Sequence, residues 1–201
     1  MVSLFAIMWV SPVRFPNDPT PLSWSVSFGV LFTGLLVWWY NTKSFSPENS
    51  LEFDDGDLHI SVSYNRPYKK GRVIFGGLVP YGKTWRTGAN EATTFETNKD
   101  LFIDGRKLLK GKYSLWTVPN AQSWEVVFNT TIPPWGIDVM NNGEASRDPK
   151  GDVLITKVPV VLSLKDIEQF TITIEKAGDS MELVLLWDKT VVAVPIYLSE
   201  Q

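Results

Sequence analysis

Residues 58–64 read Leu58-His59-Ile60-Ser61-Val62-Ser63-Tyr64, with an apolar side chain at every second position. Successive side chains of a strand point to opposite faces, so this period predicts a β-strand with one buried face. The same period returns downstream. Phe170, Ile172 and Ile174 alternate with Thr171 and Thr173, and Met181, Leu183, Leu185 and Trp187 form another row. Further strands are predicted at 92–97, 112–118, 124–130, 152–163 and 190–198. Turn pairs such as Asp104-Gly105, Asn142-Gly143, Gly178-Asp179 and Asp188-Lys189 separate them. No amphipathic helix intervenes, so the fold class is all-β, an antiparallel β-sandwich or jelly-roll-like domain. The apolar run 158–164 contains Pro159 and the last strand contains Pro195. Proline donates nothing to a ladder, so both read as edge or bulged strands.

Upstream the character changes. The first ten residues are apolar but too short to cross a bilayer, and Pro12, Pro16, Pro19 and Pro21 break any helix there. Residues 1–21 are therefore a proline-containing leader. Residues 22–40 read LSWSVSFGVLFTGLLVWWY without a charge. As a helix they would extend roughly 28 Å, about the depth of the hydrocarbon layer. Trp24 at one end and Trp38, Trp39 and Tyr40 at the other match interfacial aromatic belts. A transmembrane helix at 22–40 is expected. The competing readings are a cleaved signal, which wants small residues at the cut, and a soluble helix, which wants a polar stripe. Residues 41–50 read as a polar tether and 51–201 as the β domain. The slight charge bias puts the amino terminus inside and the domain outside the cytoplasm, in the periplasm or at the cell surface.

Composition narrows the chemistry. The net charge of −3 over 201 residues gives no global field that would attract nucleic acid. Cysteine is absent, which removes disulfides, thiol nucleophiles and zinc–thiolate sites. His59 is the only histidine and falls on the polar face of its strand, so neither a Ser-His-Asp triad nor a zinc site is expected. Asp54-Asp55-Gly56-Asp57 lacks EF-hand spacing and reads as a tight turn. No metal or cofactor is implied. Asn129-Thr130-Thr131 matches the N-glycosylation acceptor pattern, and Trp116 and Trp135 are further contact candidates.

The candidate site lies in the glycine-punctuated stretch 76–94, GGLVPYGKTWRTGANEATT. Between Asp57 and Glu91 there is no acid, yet Arg66, Lys69, Lys70, Arg72, Lys83 and Arg86 lie there. Such a local excess is a candidate anion site. The bland counterpart is a solvated hairpin loop at 66–72, or attraction of its lysines to an anionic leaflet. In the functional reading Lys83 and Arg86 supply charge, Tyr81 and Trp85 supply stacking surface, and Asn90 and Glu91 read hydroxyl or amide groups. That describes a non-catalytic binding module for an anionic or sugar-like ligand of the envelope. Two alternatives remain open: a hydrolase of an envelope polymer with Glu91 as acid or base, and a structural subunit of an envelope complex. No catalytic residue is assigned.

The run from Arg66 to Asn129, with VPYGKTWRTGANEAT at its centre, and the later LLWDKTVVAVPI resemble the domain of unknown function 2911 family. The resemblance extends over residues 58–198. It implies a β protein exported mainly by Bacteroidota and their relatives, and it transfers no activity, catalytic residue or ligand residue.

Overall fold

A computed structural model describes residues 33–34, 43–178 and 180–200. Of the expected membrane helix only Thr33 and Gly34 are described, both helical; the rest, like the leader, lies outside the described residues. No described helix is long and apolar enough to cross a membrane. Two units divide the chain, at 1–40 and 41–201.

The second unit is all-β. Its strands are β1 (Glu48–Asp55), β2 (Leu58–Asn65), β3 (Thr94–Thr97), β4 (Leu101–Ile103), β5 (Arg106–Leu108), β6 (Gly111–Val118), β7 (Ser123–Asn129), β8 (Ile137–Asp138), β9 (Glu144–Ala145), β10 (Asp152–Ala177) and β11 (Ser180–Ile196). Seven of them form one antiparallel sheet in the order β1-β2-β3-β6-β7-β10-β11, while β4-β5 and β8-β9 are separate hairpins. β1 takes up the last three residues of the stretch expected as tether and pairs along its whole length with β2, Glu48 opposite Asn65 and Asp55 opposite Leu58. The turn between them is the tight one expected at Asp54–Asp57.

The period-two pattern of β2 is realised. Leu58, Ile60, Val62 and Tyr64 are buried, while His59 is exposed. Together with Phe95, Leu115, Phe128, Phe170, Leu183 and Val192 they belong to one core. Trp116, Trp124 and Trp187 are fully buried. Each aromatic side chain removes on the order of 150–250 Å² from water, and at ~25 cal/mol per Å² such burial is the main term holding the sheet together. Trp116 faces away from that core, in a small second cluster with Ala92 and Val127.

Two pairs of predicted strands turn out to be two long ones. β10 runs for 26 residues and β11 for 17, well beyond the usual strand length. The first part of β10 pairs with β7, Val158 opposite Trp124. Its later part pairs with β11, and the register slips between Leu162 and Ile167 and again before Thr171. Each slip leaves extra residues on β10 without a partner, and unpaired residues of this kind bend a strand and sharpen its twist. Asp188-Lys189, read as a turn, lies inside β11; Asp188 adopts a left-handed backbone (φ 55°) opposite Ile167. Asp tolerates that region, so the strand bends there without ending.

The bend brings β10 back to the end of β2. Gln169 bridges Tyr68, the Phe170 amide donates to the Pro67 carbonyl (3.0 Å) and the Ile172 amide donates to Tyr64 Oη (3.0 Å). The sheet is therefore curled.

Candidate functional site

The segment 85–93 is fixed by the sheet beneath it. Trp85 forms a two-bond bridge with Thr117 on β6, at 2.7 and 3.0 Å. Thr87 then takes φ 53°, a conformation that is costly for a β-branched residue. It is wholly buried, with its hydroxyl donating to Thr117 Oγ1 (3.1 Å) and its carbonyl accepting from Thr93 Oγ1 (2.8 Å). Gly88 comes next at φ 155°, where a Cβ would stand 3.0 Å from the Asn65 carbonyl. Only glycine fits both conditions. Asn90 is left-handed as well (φ 57°) and 5% exposed.

This scaffolding uses up several of the predicted ligand groups. Asn90 Nδ2 reaches the Ser46 carbonyl and Asn65 Oδ1, both at 3.4 Å. Its carbonyl accepts from the Gly136 amide at 3.0 Å. Glu91 is held between Lys43 Nζ and Asn65 Nδ2, the latter at 2.9 Å. Burial pushes its pKa up, but Lys43, its own backbone amide and Asn65 together hold it below the usual value. It is a committed carboxylate. Trp85 Nε1 donates to the Gly88 carbonyl (3.0 Å), and its ring stacks at 5.8 Å on Trp187 and meets Phe75, Trp124 and Phe170 edge-on. The indole is chiefly a core side chain with one edge showing.

Arg86 differs. Its stem crosses Gly136, where an added Cβ would lie 2.4 Å from Arg86 Cδ. Nε is enclosed without a hydrogen-bond partner among the described residues. Burial alone shifts its pKa, downward, and no carboxylate contributes. A guanidinium nonetheless stays protonated. The chain holds here a charge that nothing described neutralises.

That charge borders two cavities. One, of about 460 Å³, is lined by Lys70, Arg72 and Arg86 and by the rings of Phe45, Trp85 and Trp187, with no Asp or Glu in its wall. Lys70 Nζ sits 4.2 Å from the centre of the Phe45 ring. Arg72 is steadied by the Lys69 carbonyl (3.0 Å) and the Tyr68 carbonyl (2.5 Å). The other cavity, of about 530 Å³, shares Trp85 and Arg86 with the first and includes Lys83, Thr84, Asn142 and Glu144. Both are of a size that suits small ligands.

The six predicted residues thus separate. Trp85 and Arg86 line both cavities, Lys83 only the larger, Asn90 only the smaller, and Tyr81 and Glu91 neither. Of the cations at 66–72, expected to face water, Arg66 instead bonds the Phe170 carbonyl and Thr171 hydroxyl. Lys69 pairs with Asp166 and Asp188, both at 2.7 Å. Lys70 and Arg72 remain exposed at the cavity. Sequence reasoning missed Phe45, hidden in a supposed tether, and Trp187, whose place in an alternating strand gave no sign of a cavity wall. Asn129 is fully buried and bonds the Asp148 carbonyl, Asp152 and the Thr131 amide, so the acceptor pattern there serves packing. No group of three or more potential metal ligands converges among the described residues.

The family profile described as protein of unknown function (DUF2911) matches residues 46–196, from the residue under Asn90 to the end of the last strand. The chain belongs to this family. No curated protein and no solved structure matches it. The match takes in the whole curled sheet of this DUF2911 domain and the cavity walls apart from Phe45.

Proposed function

We propose that this DUF2911 domain is a non-catalytic binding module for an anionic, sugar-like ligand, seated in the cavity of Lys70, Arg72 and Arg86. The observation that carries this reading is the unpartnered, enclosed Nε of Arg86 beside a wall that holds three cations and no acid. An enclosed donor without an acceptor costs about 1–3 kcal/mol, and with Nε closed off it is the rest of the guanidinium, at the cavity wall, that would take a charged ligand oxygen. The rings of Phe45 and Trp85 give the apolar body of such a ligand its contact surface.

The test uses those rings. Titrating glucuronate into the protein should change tryptophan fluorescence saturably, and Arg86→Gln should weaken the response at least about tenfold. An unchanged response in Arg86→Gln, or no saturable response in the parent, overturns the assignment.

The hydrolase alternative has little support, because Glu91 is ionised, paired and outside both cavities. The subunit alternative has one observation in its favour: Val161, Leu162 and Leu164 are exposed together on β10. Co-purification of a stoichiometric partner that Leu164→Glu abolishes would select it.

The proposal extends to the setting. In this reading the uncharged 22–40 segment anchors the domain outside the cytoplasm, and the curled sheet folds over on itself in the manner of a β-sandwich. Retention of the protein in carbonate-washed membranes, with the domain open to added protease, checks the placement; release into the soluble fraction refutes it.

A further inference from the structure

The two cavities do not end the depression. A third, of about 470 Å³, shares Ile137 and Ala145 with the larger cavity and continues along Trp135, Asn141, Ser146 and Arg147. The larger one in turn shares Leu78, Val79, Trp85 and Arg86 with the cationic one. The three therefore form a run in which each shares a wall with the next.

The run is graded in charge. At one end stand three cations without an acid. The middle cavity adds one acid, Glu144, to Lys83 and Arg86 in its wall without an ion pair among them. At the far end Arg147 is paired with Asp152 at 2.5 Å, and Asp138 and Asp148 accept from the Met140 and Lys150 amides. A chain carrying negative charge at every unit would be attracted at the first cavity and opposed at the last.

The lining also favours one class of chain. A peptide added as a strand needs free backbone donors and acceptors. Around the β8-β9 tip these are spent internally: Asn141 and Gly143 amides donate to the Asp138 carbonyl, and the Glu144 amide to the Asn141 carbonyl. Beside their charged groups the middle and far cavities hold the Asn142 amide and the Ser146 hydroxyl, with the half-buried indole of Trp135 next to them. Hydroxyl-bonding groups next to an aromatic face suit sugar rings.

We infer that the three cavities form one groove for a linear oligosaccharide capped by an acidic sugar, the acid in the Lys70–Arg72–Arg86 cavity and the neutral units running toward Trp135. This rests on the anion site proposed above and adds length and direction to it.

Calorimetric titration with four probes decides the matter: glucuronate, xylotriose capped by glucuronate, neutral xylotetraose and triglutamate. The capped tetrasaccharide should bind at least about tenfold tighter than glucuronate, and xylotetraose should bind more weakly than the capped form. Trp135→Ala, and independently the exposed Asn142→Ala, should lower affinity for the capped tetrasaccharide while leaving glucuronate affinity unchanged. Equal affinity for glucuronate and its capped form overturns the groove. Neutral xylotetraose binding as tightly as the capped form overturns the polarity, and tighter triglutamate overturns the sugar class. Failure of glucuronate itself would instead refute the anion site, which keeps the two proposals distinguishable.

Discussion

Replacing Arg86 by methionine should make the protein more stable while destroying its anion site. The enclosed Nε has no partner, and burial is the sole cause of the lowered pKa. An enclosed donor without an acceptor costs about 1–3 kcal/mol. Methionine keeps most of the unbranched stem that lies over Gly136, so the packing loss is small. The balance is a gain of about 1 kcal/mol, which for a domain of this size raises Tm by roughly 2–4 °C. Urea unfolding followed by tryptophan fluorescence reads it directly, with Arg86→Gln as a polar control. A loss of more than about 1 kcal/mol in Arg86→Met would refute the reasoning, because it would mean that the guanidinium has partners that hold the fold together. Such a gain fits the general trade of stability against function at binding sites.

Three other perturbations have definite expected outcomes. Trp85→Ala should destabilise by about 3–5 kcal/mol, since it removes an indole from contact with Phe75, Trp124, Phe170 and Trp187; a change below about 1 kcal/mol in urea unfolding would show that the indole adds nothing to the core. Glu91 has a folded pKa below its ordinary 4.5, so its stabilising contribution is present above that value and is lost as pH falls through the lowered one. Glu91→Gln should accordingly shrink the difference between urea midpoints measured near neutrality and in acid; an unaltered difference contradicts it. His59 accepts a proton more readily than its ordinary 6.5 implies, because its ring bonds Asp54 (2.8 Å). Its contribution is present below 6.5 and is lost as pH rises through the raised value. NMR titration of its ring protons should show the upward shift, and Asp54→Asn should reduce it.

Legibility followed locality. The alternation of β2 and of the segments that became β10 and β11 was plain, because a half-buried strand writes its burial into every second residue. β1 was not: Leu51 and Phe53 are only partly buried, and Glu48 and Asn49 look like tether. The short strands β4, β5, β8 and β9 hold too few residues to show a period. The WRTGANEAT stretch stood out for its residue types, and those types were read as reaching outward. Most of them reach inward. Thr87, Gly88 and Asn90 are chosen by backbone angles and close approaches, and Glu91 by Lys43 and Asn65, distant in sequence.

From the amino acids alone came the all-β class, the family, the position of most strands and the cationic bias of the stretch from Arg66 to Arg86, since each depends on side-chain pattern or on count. Which cations are paired and which are left over was decided only in three dimensions. Lys69 finds Asp166 and Asp188 because β10 and β11 bend where their register slips, while Arg86 crosses a glycine and meets no acid. Pairing depends on distances between segments far apart in the chain, and those are set by the curl of the sheet.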